Sequence, residues 1–342
     1  MSLDRHVPGI VDVAAKAGVS LSTVSRVLSG RIRVSDELRV KVEAAVAELG
    51  YRPNAAAQSL VSGRRSTVAV FARNTIRYGY AATLQGIEEA ARAAGYVVVI
   101  AVVESEDPDD ISRSVNNALS HPLAGAIVIE FDKVGVATLA ALPSTLPVVA
   151  AAGARRAPGS TPHAFLDDAA GGYEATRYLL SLGHTTVHHL AIPATKPRSG
   201  RAWGWRKALQ EAGAPIPPVV QASYSPTSGY DSAQKLTGDP SITALLCGND
   251  ELAIGAARAF QEVGRRVPEN ISIVGFDDQP FARMWMPALT TVRQDFVDLG
   301  RRTFGLLEEW LTENRHPADS AVTPTLIVRE SSAAPATADG SA

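Results

Sequence analysis

Residues 10–30 constrain the fold more than any other stretch, because two short helical patterns meet there around one glycine. The first pattern repeats apolar residues at helical spacing, namely Val13, Ala14 and Ala17. Gly18 follows, and glycine readily takes the positive φ that ends a helix in a tight turn. Ser20 stands next at an N-cap position. The second pattern consists of Val24, Val27 and Leu28.

Two short helices joined by a glycine-containing turn predict a helix-turn-helix, whose second helix enters the major groove of DNA. The exposed side of that helix would carry Leu21, Ser22, Thr23 and Arg26. Hydroxyl and guanidinium groups suit bases and phosphates, and Arg26 is able to pair bidentately with guanine. The alternative for the helix pair alone is a small helical bundle that touches no DNA.

A third helix completes this module. Ser35, Asp36 and Glu37 predict its start, and an apolar stripe follows at Leu38, Val42, Ala45, Val46 and Leu49. The order Val-Ala-x-x-Ala-Gly-Val-Ser-x-x-Thr-Val-Ser-Arg-Val-Leu begins at Val13. Val-Ser and Tyr-x-Pro-Asn-x-x-Ala-x-x-Leu come next, ending at Leu60. This pattern resembles the LacI/GalR family of transcriptional repressors, and the resemblance extends along nearly the whole chain.

Charge is distributed unevenly. The net charge is −2, yet residues 1–65 hold ten Lys/Arg against six Asp/Glu, which leaves a net charge of −6 for the remainder. A basic head on an acidic body is expected where one end meets a phosphate backbone, the alternative being compositional drift.

The body alternates β-branched runs with helical stretches, which predicts βαβ units and parallel sheets. Candidate strands are Thr67–Phe71, Tyr96–Val103, Ala126–Ile129, Pro147–Ala150, Val187–Ala191, Ala244–Cys247 and Ile271–Val274. Candidate helices lie near 80–94, 108–120, 168–182, 201–212, 228–237, 250–264 and 295–312. So many strands predict two similar lobes with a ligand crevice between them.

The resemblance implies a fold with an N-terminal all-α helix-turn-helix headpiece and a two-lobed α/β core of the periplasmic-binding-protein type. We expect the headpiece at 1–52, a hinge helix or linker at 53–65 and the core at 66–330. The N-lobe is expected at about 66–166 and 296–325, the C-lobe at about 167–295 and 326–330, and a disordered tail at 331–342.

For DNA, the resemblance implies a homodimer on a near-palindromic operator, with half-sites about one helical turn apart. Leu21 and Ser22 would set base preference, Arg26 would read guanine, and Thr23, Ser25 and Arg33 would contact phosphates. Residues 54–62 would form a hinge helix only on DNA, since a helix so short is unstable alone in water. Its DNA contacts would come from Asn54, Ala57 and Leu60. Leu60 would wedge between base steps in the minor groove, the alternative being simple linker packing.

For the ligand, the resemblance implies a small sugar or sugar-like effector. The candidate contacts are Asn74, Arg201, Tyr224, Asn249, Asp277 and Phe296. Carboxylate and guanidinium groups bind hydroxyls, and an aromatic face packs on sugar C–H groups. The alternatives are a surface helix position for Arg201, core packing for Tyr224 and Phe296, and capping roles for Asp250 and Asp278.

The chain departs from the family after its fourth body strand, where Ala150-Ala-Ala-Gly153 replaces the usual polar contact. We therefore expect an effector larger than a simple monosaccharide, or one bound differently.

Other classes find less support. Enzyme motifs such as a nucleophile elbow or Walker loop do not occur, and His188-His189 lacks nearby metal-ligand partners. We predict no enzyme activity, no cofactor and no metal site. A sugar-binding transport protein would need a secretion signal and no basic head. We predict a cytoplasmic protein, on the nucleoid when bound to operator, without membrane contact.

The predicted mechanism couples the two ends of the chain. A sugar closing the lobes would separate the two hinge starts of the dimer and weaken operator binding, with a coupling of about 1–3 kcal/mol. The opposite sign, with a small molecule or a partner protein acting as corepressor, stays open at this point.

Overall fold

The computed structural model describes residues 8–29, 34–51, 65–157, 160–193 and 200–336. It divides into two compact units, Met1–Arg65 and Ser66–Ala342.

The described part of the N-terminal unit consists of α1 (Ile10–Ala17), α2 (Leu21–Ser29) and α3 (Asp36–Leu49). Gly18 has a φ of +67° and ends α1 as predicted. The Oγ of Ser20 accepts a hydrogen bond of 3.2 Å from the backbone N–H of Thr23 at the start of α2. The helix-turn-helix predicted from residues 10–30 is therefore confirmed.

A small apolar core holds these helices together. Each helix contributes at least one fully buried valine, and the buried set is Val13, Ala14, Val24, Val42 and Ala45. Because Val24 turns one face of α2 inward, the opposite face of this short helix stays in water.

The C-terminal unit alternates strands and helices. The strands are β1 (Thr67–Ala72), β2 (Val97–Val102), β3 (Leu123–Glu130), β4 (Val148–Ala152), β5 (His163–Leu166), β6 (His188–Ala191), β7 (Val220–Gln221), β8 (Ala244–Cys247), β9 (Ser272–Asp277), β10 (Thr290–Arg293), β11 (Ser320–Val322) and β12 (Thr325–Ile327). The helices are α4 (Tyr78–Ala93), α5 (Pro108–Leu119), α6 (Lys133–Ala141), α7 (Asp168–Ser181), α8 (Gly200–Glu211), α9 (Pro226–Gln234), α10 (Asp250–Glu262) and α11 (Phe296–Glu313). Within the described ranges, no helix is both long and apolar enough to cross a bilayer.

These strands form two sheets, each with six strands among the described residues. The first has the order β11-β5-β4-β3-β1-β2, and the second the order β12-β10-β9-β8-β6-β7. Neighbours are parallel except for β10 and β12. Helices pack on both faces of each sheet around separate apolar clusters. The predicted two-lobed α/β core is therefore confirmed.

Within the described residues, the chain passes between the two sheets three times. It crosses after β5 into α7, after β10 into α11, and between β11 and β12. Each crossing takes only a few residues, so both sheets present neighbouring strand ends to one cleft.

Several elements had no usable sequence signal. Helix α6 is almost entirely small or apolar and lacks a polar face, so it shows no amphipathic period. Strands β5, β7, β10, β11 and β12 span two to four residues each, too few for an alternating pattern.

The disordered tail was predicted to begin at residue 331, and this boundary is too early. Ser331 is buried, and its Oγ donates to the backbone oxygen of Ile273 at 2.6 Å. Ala333 N–H donates to Ser272 Oγ at 3.0 Å. Residues 331–333 are therefore hydrogen-bonded to the second sheet, because the amino-terminal end of its interior strand β9 provides their partners.

Candidate nucleic-acid interface and ligand-binding cleft

The face of α2 opposite its buried valine is the candidate DNA-reading surface. Leu21 is 50% exposed, Ser22 and Arg26 are exposed, and Thr23 and Ser25 are partly exposed. The hydroxyls of Ser22 and Thr23 lie 2.8 and 2.9 Å from Ser20 Oγ. They therefore help order the start of the helix as well as facing outward. Four further predicted DNA contacts lie outside the described residues, namely Arg33, Asn54, Ala57 and Leu60.

In the C-terminal unit, a cleft opens between the carboxyl ends of the two sheets. Its volume is about 1030 Å³ when the open mouth is included. Glu130 ends β3, Leu166 ends β5 and Asp277 ends β9, and all three line it. Of these three, only Asp277 was a predicted ligand contact. Four more predicted contacts line the cleft, namely Arg201, Tyr224, Asn249 and Phe296. Topology therefore brings five of the six predicted ligand residues to one site.

Arg201 is the central cation of this cleft. It lies in the first turn of α8, and its side chain is 9% exposed. Nε donates to Asp168 Oδ2 at 3.2 Å, Nη2 lies 3.0 Å from Asp277 Oδ1, and Nη1 donates to the Gly248 carbonyl. Its guanidinium lies 3.9 Å from the ring centroid of Phe276. Burial alone would lower the pKa of Arg201, but the charges of Asp168 and Asp277 outweigh burial and raise it.

Asp277 occupies an unusual backbone position at the end of β9. Its φ is +107°, a value that L residues rarely adopt. The carboxylate is buried, and Oδ1 has no well-oriented hydrogen bond although Arg201 is near. Burial raises the pKa of Asp277 to about 7, with Arg201 opposing the shift and Asp168 adding to it.

Asp168 and Gln294 belong to the same network, and sequence reasoning missed both. Gln294 Nε2 donates to Asp168 Oδ1 at 2.8 Å. Burial raises the pKa of Asp168, against the opposing charge of Arg201. A Cβ at Gly153 would lie 3.2 Å from Asp168 Oδ2, so the glycine leaves room for the carboxylate. Gln294 directly follows β10, and Asp168 stands two residues after the end of β5. Both strands are too short to predict, so the pattern of a polar residue after a strand was not visible in the sequence.

Asn249 and Tyr224 are bound to each other. Asn249 Oδ1 accepts from Leu252 N–H at 2.8 Å and caps α10, while Nδ2 donates to the Tyr224 carbonyl at 3.0 Å. Its amide therefore shapes the cleft wall as well as lining it. The Tyr224 ring stacks against the Arg77 guanidinium at 4.3 Å, and burial raises the pKa of its hydroxyl.

An aromatic wall closes the opposite side. Phe296 meets Tyr78 and Phe131 edge-to-face, with centroids 5.8 Å apart in both pairs. Tyr80 packs on Phe131 at 5.2 Å, and its hydroxyl donates to Asp132 at 2.7 Å. Phe296 is thus both a core residue and a lining residue, so the two readings of its sequence position are compatible.

Asn74 does not join the cleft, which corrects its prediction as a ligand contact. Its Oδ1 accepts from the backbone N–H groups of Ile76 and Arg77 at 2.8 and 2.7 Å. Asparagine after a strand commonly satisfies the next turn in this way. The side chain organises the entry to α4, and a ligand would find its acceptor already used.

The two aspartates with alternative capping roles are also engaged. Asp250 accepts from Thr291 Oγ1 at 2.5 Å and from Gln279 N–H at 2.7 Å. Asp278 pairs with Arg293 and Arg329 at 2.7 and 2.6 Å. Both carboxylates brace the loop around Asp277 and neither lines the cleft.

His189 also lines the cleft. The sequence had raised only the question of a metal site for His188-His189, and had counted against one. It lies on β6, is 1% exposed, and stacks on Trp205 with centroids 5.5 Å apart. Among the described residues, no cluster of three or more His, Cys, Asp or Glu is arranged to hold a metal ion.

The helix-turn-helix and the two-sheet core together define a DNA-binding regulator with a periplasmic-binding-protein-like core. The family model "Bacterial regulatory proteins, lacI family" matches residues 9–54, and the model "Periplasmic binding protein-like domain" matches residues 176–332. The HTH-type transcriptional repressor PurR of Pectobacterium carotovorum subsp. carotovorum (strain PC1) is 33% identical over 331 residues, covering 94% of this chain and 96% of PurR. The chain therefore belongs to the lacI family of bacterial regulatory proteins and is a DNA-binding repressor of that family.

Solved structures agree with this assignment. The lac repressor dimer bound to operator and the anti-inducer ONPF superposes with a TM-score of 0.86 at 29% identity, covering 96% of this chain and 100% of that one. The complex of the transcriptional regulator CelR with cellobiose gives a TM-score of 0.70 at 28% identity, covering 95% and 99%. These similar proteins are a repressor and a transcriptional regulator.

Proposed function

We propose that this repressor binds a near-palindromic operator as a homodimer and is released when a sugar or sugar-like inducer fills the cleft. The observation that carries the proposal is Arg201 held between two buried carboxylates, opposite an aromatic wall. Such a site offers charged groups to hydroxyls and aromatic surface to C–H groups. It would act as a regulator and not as an enzyme.

The similar proteins support the ligand class. The lac repressor was solved with operator and ONPF, and CelR was solved with cellobiose. Cellobiose is a disaccharide, in keeping with an effector larger than a monosaccharide. The run Ala150-Ala-Ala-Gly153, which lacks the polar residue expected from the resemblance, favours an effector that is larger or bound differently.

Release would follow from closure of the cleft. Its lining residues come from both sheets, so a ligand that bridges Arg201 and Phe296 would favour the closed arrangement. The link to DNA would be the predicted hinge at residues 53–65. Coupling then equals the difference in ligand affinity between the DNA-competent and incompetent dimers, about 1–3 kcal/mol in typical cases.

Apolar surface supports the homodimer. The edge strand β2 exposes Val97 by 61% and Ile100 by 46%, and the loop after β9 exposes Met284 by 79% and Met286 by 91%. Clustered exposed apolar side chains commonly mark a protein interface. A symmetric dimer of this kind matches a palindromic operator.

The proposed division of the chain keeps the headpiece at 1–52, the hinge at 53–65 and the effector core at 66–330. The hydrogen-bonded segment at 331–333 extends the core slightly.

We also place the protein in the cytoplasm, on the nucleoid when bound to operator. Localisation of a fluorescent fusion with and without the inducing sugar would test this.

The decisive experiment selects inverted-repeat oligonucleotides with the full chain and then screens mono- and oligosaccharides by gel shift. We expect at least one sugar to release selected DNA from the wild type. The Asp277→Ala variant should keep operator binding and lose that response. Tighter DNA binding with a sugar would instead establish the corepressor mode, and no preference for any inverted repeat would disprove the proposal.

A further inference from the structure

The protonation of His189 can be read from its contacts. Nδ1 lies 2.8 Å from the carbonyl oxygen of Leu246 on the neighbouring strand β8. A carbonyl only accepts hydrogen bonds, so Nδ1 carries the hydrogen and donates. Burial lowers the pKa of His189 to about 4, and the charge of Arg201 acts in the same direction. The imidazole is therefore neutral near pH 7, and Nε2 is a bare acceptor.

The ring cannot turn away from this arrangement. Its face stacks on Trp205, with an interplanar angle of 28°. Trp205 is itself fully buried, and its Nε1 donates to the Val187 carbonyl at 2.8 Å. The stack and the bond to Leu246 together fix where Nε2 points.

Nε2 is buried without a hydrogen-bond partner in a side chain that lines the cleft. One other buried acceptor of the described lining residues shares this condition, Gln294 Oε1, whereas Asp277 Oδ1 lies 3.0 Å from Arg201 Nη2. A buried acceptor left without a donor costs free energy, so this side of the cleft requires donors from its occupant.

Charge in the cleft points the same way. The described lining residues include four carboxyl groups, those of Glu130, Asp168, Glu251 and Asp277, and two guanidinium groups, those of Arg77 and Arg201. Arg156 pairs with Glu130 from outside the lining, so the carboxyl groups exceed the guanidinium groups by one. Arg201 is already committed to two carboxylates and a carbonyl. An anionic group such as a phosphate would find acceptors and negative charge where it needs donors.

We propose that His189 is a specificity-determining residue, whose Nε2 accepts a hydrogen bond from a hydroxyl of an uncharged polyhydroxylated ligand. This inference rests on the proposed function, since it identifies a contact within the same cleft.

Two matched variants separate ligand recognition from structural support. In His189→Asn, the amide nitrogen can take the place of Nδ1 and donate to Leu246, but the side chain stops short of Nε2. In His189→Gln, the amide reaches the place of Nε2 and offers an acceptor there, while the donor to Leu246 is lost. If His189 contacts the ligand, His189→Gln should bind the sugar more tightly than His189→Asn does. If His189 only supports the structure, His189→Asn should be the tighter binder.

The probes are D-glucose, D-galactose, lactose and cellobiose, with glucose 6-phosphate and galactose 6-phosphate as anionic counterparts. The full-length protein is screened by thermal shift and titrated by calorimetry. We expect an uncharged sugar to bind more tightly than its phosphate. His189→Asn should weaken that binding about 5- to 30-fold and His189→Gln less than about threefold, as expected for one hydrogen bond to a buried partner.

Monodeoxy derivatives of the best-binding sugar add a readout that altered stability cannot imitate. One derivative should bind the wild type more weakly than the parent sugar and bind His189→Asn as well as the parent does. Equal affinity of wild type and His189→Asn, tighter binding of a phosphate, or no stabilisation by any uncharged sugar would overturn the inference. A wild-type protein without selective operator binding would instead reject the proposed function on which this inference rests.

Discussion

The positive charge of Arg201 offsets the electrostatic repulsion between two buried carboxylates. Asp168 and Asp277 both lie within 3.2 Å of its guanidinium nitrogens. Removing one partner from a buried charge network usually costs more than the network contributes, because the remaining charges stay desolvated.

Arg201→Met should therefore destabilise the protein by about 3–5 kcal/mol at about pH 8. A carboxyl whose pKa is raised by folding favours the protonated form, so its folded state loses stability as pH rises from the unfolded pKa through the folded one. Asp277 already has a pKa of about 7, raised mainly by burial. The cost of Arg201→Met should thus shrink as pH falls from about 8 to about 5. Urea unfolding of both proteins across this range measures it.

Arg293→Met is the matched control. Arg293 is 55% exposed and pairs with Asp278 at 2.7 Å, so its removal should cost less than about 1 kcal/mol. Equal penalties for the two variants, or a penalty for Arg201→Met that grows in acid, would contradict this account.

At the scale of elements, paired glycines set how closely the helices cross. A Cβ at Gly204 of α8 would lie 1.9 Å from the Ala169 carbonyl of α7, and one at Gly172 would lie 2.3 Å from the Arg201 carbonyl. Similar contacts occur at Gly255 against α9 and at Gly300 against α4. The close α7–α8 crossing therefore fixes the position of the Arg201 backbone, and with it the position of the guanidinium in the cleft.

Gly204→Ala should separate α7 from α8 and destabilise the protein by about 1–3 kcal/mol, the usual cost of overpacking. Because Arg201 lies one turn away on the same helix, sugar binding should weaken as well. Gly305→Ala is the control, since nothing lies within 4 Å of a Cβ there and Ala favours the helix by about 0.5–1 kcal/mol. Thermal unfolding of the pair tests this, and a stabilised Gly204→Ala would show that the crossing is not tight.

On α2, the exposed Arg26 is the best-placed reader of guanine. Arg26→Ala should cost about 1–3 kcal/mol in specific operator binding and relax the base preference at one position. Lys41→Ala removes the same charge from exposed α3, where Lys41 pairs with Glu37 at 2.7 Å, and should leave base preference unchanged. Fluorescence anisotropy on operator and single-base variants compares the two. An unchanged Arg26→Ala profile would remove Arg26 from the interface.

At the scale of the whole molecule, the candidate DNA surface and the ligand cleft belong to different compact units. Their communication is therefore a coupling free energy between two sites, and such coupling is reciprocal. If the sugar lowers operator affinity by some factor, then operator must lower sugar affinity by the same factor.

We expect that shared factor to lie between about 5 and 150 for the wild type. Anisotropy of labelled operator with and without the sugar gives one value. Calorimetric titration of sugar into free and operator-bound protein gives the other. A factor of one in both measurements would contradict regulation through the cleft, and a shared increase in affinity would identify the ligand as a corepressor.

Much of the molecule follows from local chemistry. Helical spacing around Gly18 predicts the helix-turn-helix, because periodicity and a positive-φ turn are properties of neighbouring residues. Asp277 is found from a local pattern as well as from the family resemblance, because a carboxylate after a buried strand needs partners, whereas Arg201 is found from the resemblance alone.

The remaining features depend on contacts between distant parts of the chain. Asn74 is used up by its own turn, and Ser331 is ordered by a strand nearly sixty residues earlier in the chain. His189 becomes a bare acceptor only because the Leu246 carbonyl of the next strand binds its other nitrogen. Sequence alone thus determined most of the longer elements and the types of groups available, since both depend on near neighbours. Tertiary structure decided which of those groups still need a partner, because that depends on what strand pairing and helix crossing place beside them.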